Sequence, residues 1–224
     1  MTPSGAIRFV IAPYLYEPMS QFFQIHPINP QARLIRRAVE IVRDGGVIAY
    51  PTDSGYALGC HIGDKDAMER IRALRVLDDK HNFTLMCRDL SEIATYAKVE
   101  NSAYRLLKAH TPAPYTFILE ATREVPRRLQ HPRRKTIGIR VPDNAITQAL
   151  LAELAEPLLS STLILPGQDM PMTDAEEIRD ALGNRLDLVI DGGYCGFEPT
   201  TVVDLVTGVP DILRVGKGAT ETLV

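Results

Sequence analysis

The residues with the clearest capacity for chemistry form one basic segment in the second half of the chain. Residues 127–135 read RRLQHPRRK. The basic side chains in this segment are Arg127, Arg128, Arg133, Arg134 and Lys135. Arginine presents a planar fork of donors that matches phosphate oxygens bidentately, so the cluster predicts contact with a phosphate group or with RNA. The alternative is a solvated surface turn, which accounts for most charge runs.

Three turns rich in threonine form a second group of candidate residues. Residues 51–55 read PTDSG, residues 114–116 read PYT, and residues 199–201 read PTT. Each turn lies at the edge of an expected strand and carries small hydroxyl side chains. Together they could supply hydrogen bonds to a small polar ligand, whereas any one of them alone is ordinary turn chemistry.

Several common sites are missing from the sequence. It contains no G-x-x-x-x-G-K-[ST] or G-x-G-x-x-G loop, no H-E-x-x-H and no G-x-S-x-G. The three cysteines, Cys60, Cys87 and Cys195, are far apart and form no C-x-x-C pair, so we predict small core residues rather than disulfides or a zinc site. The five histidines are expected on loops or at the surface, and no metal site is predicted.

Composition restricts the class of protein. The 224 residues include 28 acidic and 25 basic side chains, for a net charge of −3, which excludes a globally basic nucleic-acid coat. No apolar run approaches the roughly 20 residues that a membrane span needs. We therefore predict a cytoplasmic protein without membrane contact. Residues 1–18 are expected to be an N-terminal appendage and residues 19–224 a single domain.

Helix and strand signals alternate along the chain without a linker or repeat, which predicts an α/β domain. Asn29 and Pro30 are expected to begin the first helix, and Gly45 to end it. Asp64 and Asp143 are expected to cap two further helices. A capping box at residues 173–176 is expected to begin a fourth helix. Because several late strands are joined by links too short for parallel crossovers, the sheet is predicted to be mixed.

Taken in order, several segments resemble the YrdC-like family, the L-threonylcarbamoyladenylate synthases of tRNA modification. The resemblance extends from about residue 31 to residue 216. The segments are 50–59 (YPTDSGYALG), 114–117 (PYTF), 139–142 (IRVP), 200–204 (TTVVD) and 213–216 (LRVG). Residues 81–90 (HNFTLMCRDL) and 192–194 (GGY) are most similar to the YciO branch of that family.

The resemblance implies a twisted open mixed sheet flanked by helices, with a concave basic cavity. It also implies an enzyme that joins ATP, threonine and bicarbonate into threonylcarbamoyl-AMP and releases pyrophosphate, with Mg²⁺ accompanying the ATP as substrate. Double-stranded RNA or tRNA is the implied macromolecular partner, which would contact the basic segment.

The resemblance also assigns individual residues. Positions that match the threonine pocket are Thr52, Tyr56 and Thr116. Positions that match the nucleotide site are His81, Arg140, Thr200 and Arg214. The catalytic Lys-x-Arg pair and Ser-x-Asn turn of the family fall on Arg75 with Leu77 and on Thr162 with Ile164.

Two of these positions depart strongly from the family, since Leu77 and Ile164 carry no hydrogen-bonding group where the polyanion should lie. By analogy with oxyanion-site deletions, the two losses together predict a rate about three to five orders of magnitude lower. The sequence therefore predicts an ATP- and RNA-binding relative with weak or redirected nucleotidyltransferase activity. The alternative is a non-catalytic protein that binds double-stranded RNA or tRNA.

Overall fold

The computed structural model describes residues 20–77 and 82–223. The predicted appendage, residues 1–18, and the candidate nucleotide ligand His81 lie outside the described residues. Within the described ranges, no helix is long and apolar enough to cross a membrane.

Helices and strands alternate along the described chain as the sequence pattern predicts. The helices are α1 (Ala32–Arg43), α2 (Lys65–Arg75), α3 (Leu90–Tyr96), α4 (Asn101–Ala109), α5 (Ala145–Leu154) and α6 (Ala175–Leu182). The strands are β1 (Gln21–Gln24), β2 (Ile48–Pro51), β3 (Tyr56–His61), β4 (Thr84–Met86), β5 (Tyr115–Glu120), β6 (Thr136–Arg140), β7 (Leu158–Thr162), β8 (Leu188–Asp191), β9 (Thr201–Asp204) and β10 (Asp211–Arg214). A short 3₁₀ helix, Arg127–Leu129, precedes β6.

All of these strands belong to one open sheet in the order β1-β8-β2-β3-β7-β4-β6-β5-β9-β10. Four neighbouring pairs are parallel, namely β1–β8, β2–β8, β4–β6 and β5–β9. The other pairs are antiparallel. The predicted mixed α/β sheet flanked by helices is therefore confirmed.

Helix ends follow the sequence signals in two cases. The Asp64 carboxylate accepts a hydrogen bond from the backbone N–H of Ala67 at 2.8 Å and caps α2 as predicted. Gly45 follows α1 with φ at +86°, a left-handed conformation that glycine adopts without steric cost, so it ends that helix as predicted.

The starts of three other helices differ from the sequence signals. Helix α1 begins at Ala32 after Gln31, not at Asn29, whose N–H is donated to His26 Nδ1 in the preceding turn. Helix α5 is capped by Asn144, whose side chain accepts from Thr147 N, and not by Asp143.

The cap predicted at residue 173 is displaced by one residue. The residue that caps α6 is Asp174, which accepts from the backbone N–H groups of Glu176 and Glu177. The predicted helix exists in each of these three cases, but it begins one or two residues from the expected position.

The sheet buries an apolar cluster on each face. The larger cluster joins α2, α3, α4 and α6 to one face, through residues such as Ile71, Ile93, Leu107 and Ile178. The smaller cluster packs α1 and α5 on the other face. Helices α1 and α5 cover only part of that second face, which leaves room for a cavity beside them.

Tyr50 links the smaller cluster to the sheet by a buried hydrogen bond. Its hydroxyl lies 2.7 Å from Ser160 Oγ, and the side chain has no solvent exposure. Tyr50→Phe is expected to lower the free energy of unfolding by about 1 kcal/mol, because Ser160 loses a buried partner. Urea denaturation measures the change, with the half-exposed Tyr104→Phe as a control expected to stay within about 0.5 kcal/mol. A Tyr50→Phe protein as stable as the parent would contradict this assignment.

Candidate functional site

A concave cavity of about 490 Å³ lies over the part of the sheet that α1 and α5 leave open. Strands β3, β7, β4, β6, β5, β9 and β10 follow one another in the sheet, and each contributes side chains to the lining. Ala57 and Met86 of this lining belong to the smaller apolar cluster, whereas Tyr56, Phe83, Leu129 and Ile137 belong to the larger one, so the cavity borders both clusters. A volume of this size suits a small-molecule ligand.

The cavity is strongly basic although the whole chain is acidic. Four arginines, Arg75, Arg134, Arg140 and Arg214, contribute to its lining, and no aspartate or glutamate does so among the described residues. Serine and threonine hydroxyls occupy much of the remaining surface. Guanidinium and hydroxyl donors form an environment that favours an anion, and the two carboxylates that pair with lining arginines, Asp53 with Arg140 and Asp204 with Arg134, do not line the cavity themselves. The predicted concave basic cavity is present.

Arg140, at the end of β6, is held by an ion pair with the carboxylate of Asp53. Its Nη2 donates to Asp53 Oδ1, and Thr52 Oγ1 lies 3.4 Å from the same nitrogen. The two charged side chains are 7% and 8% exposed. A buried pair of this kind fixes the guanidinium in one orientation at the cavity wall.

Arg214, in β10, is held by neutral oxygen atoms. Its Nε and Nη2 donate to the carbonyl oxygen of Thr200 at 3.1 and 2.9 Å. Thr200 Oγ1 in turn lies 2.8 Å from Thr116 Oγ1. Burial, followed by the nearby positive charge of Arg140, lowers the pKa of Arg214. The structure thus brings these four predicted ligand residues together.

Arg75 is the last residue of α2 and reaches the edge of β7. Its Nη1 donates to Ser161 Oγ at 2.5 Å and its Nε to the carbonyl oxygen of Ile164 at 3.3 Å. Burial lowers the pKa of Arg75, and the residue forms no ion pair within the described part of the chain. Thr162, the other predicted catalytic residue, also lines the cavity.

The two residues that depart from the family pattern do not line the cavity. Leu77 is partly buried and packs against the larger apolar cluster. Ile164 contributes its backbone oxygen to Arg75, as described above. Neither side chain therefore presents a donor to a ligand.

Two of the predicted threonine ligands have hydroxyl groups that are engaged within the protein. Tyr56 OH donates to the carbonyl oxygen of Gly193 at 3.0 Å and accepts from Gly192 N at 3.3 Å. Thr52 Oγ1 donates to Gly55 O at 2.6 Å. Burial raises the pKa of Tyr56, so its hydroxyl remains a donor. Both residues line the cavity, and both also hold the turns around it.

The basic segment separates into different environments. Arg134 lines the cavity and pairs with Asp204, whereas Arg128 donates to the backbone oxygens of Ile62 and Gly63 at 3.2 and 2.7 Å. The remaining basic residues of the segment, Arg127, Arg133 and Lys135, are exposed outside the lining.

Several lining residues were not identified from the sequence. They include Asn82, Thr84, His131, Thr136, Gly138 and Ser161. In β6, Thr136, Gly138 and Arg140 line the cavity with a spacing of two, which is the period at which strand side chains share one face, and Ile137 contributes to the lining as well. Alternation in this strand could have identified Thr136 and Gly138 beside Arg140. Asp53 was likewise overlooked, since its role depends on a contact with a distant strand.

Two further groups of residues bear on the chemistry of the protein, the candidate metal ligands and the three cysteines. Within residues 20–77 and 82–223, no group of three or more histidine, cysteine or acidic side chains could hold a metal ion. The Cys60 and Cys87 thiols are buried in the core, and Cys195 is partly buried against it. Burial raises the pKa of Cys195 to about 11 and that of Cys60 to about 12.

The thiols of the folded protein are therefore expected to react slowly. At pH 8 a thiol of pKa about 11 is roughly 0.1% thiolate, so alkylation by iodoacetamide should be at least about 100-fold slower than for free cysteine. The rate should rise about tenfold per pH unit up to pH 11. Mass spectrometry after timed labelling measures it, with guanidinium-unfolded protein as the control in which all three cysteines react. A thiol that reacts like free cysteine at pH 8 would contradict the assignment.

Comparisons with known proteins agree with this geometry. The family model Sua5_yciO_yrdC, described as telomere recombination, matches residues 40–216. The YciO protein of Escherichia coli K12 is 63% identical over 200 residues, which cover 89% of this chain and 97% of that protein. A threonylcarbamoyl-AMP synthase of Chromobacterium violaceum is 34% identical over 184 residues, covering 81% of this chain and 94% of that enzyme.

Solved structures show the same fold. The crystal structure of E. coli YciO superimposes with a TM-score of 0.88 at 61% identity, covering 92% of this chain and all of that chain. The structure of P. abyssi Sua5 complexed with L-threonine has a TM-score of 0.81 at 24% identity, covering 88% of this chain and 58% of Sua5. At that identity the second similarity establishes the fold alone.

Proposed function

The chain belongs to the Sua5/YciO/YrdC family, and on that premise we propose that its cavity binds ATP and catalyses a slow or redirected nucleotidyl transfer. The reaction proposed is that of its relatives named threonylcarbamoyl-AMP synthases. Threonine and bicarbonate would supply the acceptor, and pyrophosphate would leave.

The single observation that carries this proposal is the charge of the cavity. Four arginines line it without a carboxylate among the described lining residues, in a chain whose net charge is −3. A lining of this kind suits a ligand with several negative charges, and a triphosphate has them. The charge of Arg75 and Arg214 is opposed by no ion pair within the described residues, so it is available to a polyanion.

The proposed chemistry balances without a further reactant. The threonine amine and bicarbonate form a carbamate with loss of water. A carbamate oxygen then attacks the α-phosphorus of ATP, the bond from that phosphorus to the bridging oxygen breaks, and pyrophosphate leaves with the bond electrons. Fixed guanidinium groups stabilise the charge that develops on the phosphoryl oxygens. Since the described residues contain no metal-binding cluster, Mg²⁺ would be carried by the nucleotide phosphates.

The proposed low rate follows from the end of the cavity around Arg75. Its guanidinium is held by Ser161 and by the carbonyl oxygen of Ile164, and the Leu77 side chain packs against the apolar cluster. Fewer hydrogen-bond donors therefore remain at this end of the cavity to stabilise the charge that develops on the phosphoryl oxygens in the transition state. A rate about three to five orders of magnitude below that of a full synthase is expected.

Pyrophosphate release by the purified protein tests the proposal. ATP, Mg²⁺, bicarbonate and threonine are supplied together and then each is omitted in turn. The proposal expects release that needs both threonine and bicarbonate, and it expects Arg75→Gln to reduce that release at least about tenfold. Arg123→Gln is the matched control, because Arg123 is 95% exposed and lies outside the cavity. Release indifferent to threonine would overturn the threonine reaction.

RNA binding is proposed as the second function, on a different observation. Arg127, Arg133 and Lys135 are exposed outside the cavity lining and could contact phosphates directly. Binding of tRNA that weakens steeply with salt, without threonine-dependent turnover, would favour this alternative. Replacing the three residues with glutamine should then reduce tRNA affinity without altering ATP binding.

A further inference from the structure

Asp53 joins three segments of the chain that lie far apart in sequence. Its Oδ1 accepts from Arg140 Nη2, and its Oδ2 accepts from the backbone N–H of Asp143 at 3.1 Å. Its backbone oxygen accepts from Lys217 Nζ at 2.5 Å. The turn after β2 is therefore tied to the end of β6, to the start of α5 and to the C-terminal segment.

The guanidinium of Arg140 depends on this one carboxylate. Asp53 and, more distantly, Thr52 supply all the hydrogen bonds of that guanidinium among the described residues. Its Nε is buried and has no partner in the same ranges. Both bonds use Nη2, which leaves Nη1 without a protein acceptor at the wall of the cavity.

A second guanidinium lies within electrostatic reach of Arg140. The charge of Arg140 lowers the pKa of Arg214, and both residues line the cavity. Like charges in a partly buried site repel, so without a counter-charge Arg140 would turn away from Arg214. Asp53 supplies that counter-charge from outside the cavity lining.

We propose that Asp53 is a positioning residue, which orients Arg140 so that Nη1 binds the anionic group of the substrate beside Arg214. This inference rests on the proposed function, because it assigns a role toward the same ligand. Asp53 itself does not line the cavity and would not touch the substrate.

The charge of Asp53 and its proposed positioning of Arg140 predict opposite changes in anion affinity when Asp53 is replaced by asparagine. Asp53→Asn removes a negative charge near an anion site, so charge alone would tighten anion binding. If Asp53 acts by orienting Arg140, affinity should instead fall about tenfold. Asp53→Glu keeps the charge but displaces it by one methylene group, and it should also weaken binding.

Isothermal titration calorimetry with ATP and with inorganic pyrophosphate distinguishes the charge effect of Asp53 from its positioning effect on Arg140. Arg140→Gln and the double variant Asp53→Asn/Arg140→Gln complete a mutant cycle, and the double variant should bind no more weakly than Arg140→Gln alone. Thermal unfolding verifies that each variant is folded. If Asp53→Asn does not fold, the comparison of Asp53→Glu with the parent carries the test.

Each result has a separate consequence. Unchanged or tighter binding by the folded Asp53 variants would overturn the positioning role. A parent protein that binds pyrophosphate but not ATP would overturn the proposed function, while the Asp53 comparison would still be made with pyrophosphate. A parent protein that binds neither ligand would overturn both proposals.

Discussion

Gly138→Val is expected to weaken ATP binding about 100-fold while the protein remains folded. Gly138 lies in β6 on the floor of the cavity, where a Cβ atom would meet Thr84 Oγ1 at 3.3 Å and Thr116 Cγ2 at 3.4 Å. Both neighbours line the cavity, so the added side chain would occupy space that the ligand needs. Overpacking of a site costs about 1–3 kcal/mol, and the upper part of that range corresponds to about 100-fold in affinity.

Gly138→Val should reduce the stability of the fold less than it reduces the affinity for ATP. Valine is favoured in strands, whereas glycine weakens them, which offsets part of the close contact. Isothermal titration with ATP measures affinity and urea denaturation measures stability. Ile139→Val is the matched control, because Ile139 faces the opposite side of the same strand and should leave ATP affinity unchanged. ATP binding by Gly138→Val at the parent affinity would place the ligand elsewhere.

Phe117→Ala is expected to lower the free energy of unfolding by about 3–5 kcal/mol. Phe117 lies at the centre of β5 with no exposed surface, between Ile139 of β6 and Val203 of β9. Its ring stacks on Tyr115 with a centroid distance of 5.7 Å. Truncation would leave a cavity in the larger apolar cluster, and the surrounding sheet cannot easily collapse to fill it.

This loss would be a large part of the 5–15 kcal/mol that stabilises a typical domain. Urea or thermal denaturation followed by circular dichroism measures it. Phe117→Leu keeps most of the apolar volume and should cost less than about 1.5 kcal/mol, so it separates the effect of the cavity from a general effect of substitution. A loss below about 1.5 kcal/mol for Phe117→Ala would show that the sheet rearranges around the gap.

The alternation of elements was predictable from local patterns. Helix periodicity, the cap at Asp64 and the glycine after α1 depend on residues close together in the chain, so the sequence contains the whole signal. The starts of α1, α5 and α6 were each misplaced by one or two residues, because local capping signals define a helix end only to within a residue or two.

The site was predictable only in part. Ordered motifs identified residues on separate helices and strands, and Arg75, Thr116 and Arg214 do line one cavity. The lining role of Gly138 was not identified, because a glycine has no side chain that indicates a ligand contact, although its spacing of two from Arg140 places it on the same face of β6. The basic segment was predicted as one surface, yet Arg134 lines the cavity while Arg128 is bound to backbone oxygens near residue 62.

The sequence by itself determined the α/β class, the family and the residue types that an anion site needs, because these depend on composition, period and the order of short motifs. Only the tertiary structure decided which charges remain available to a ligand. The pairing of Arg140 with Asp53 spans 87 positions, and that of Arg134 with Asp204 spans 70. Contacts of that separation are fixed by strand order and register, which side-chain spacing along the chain does not encode.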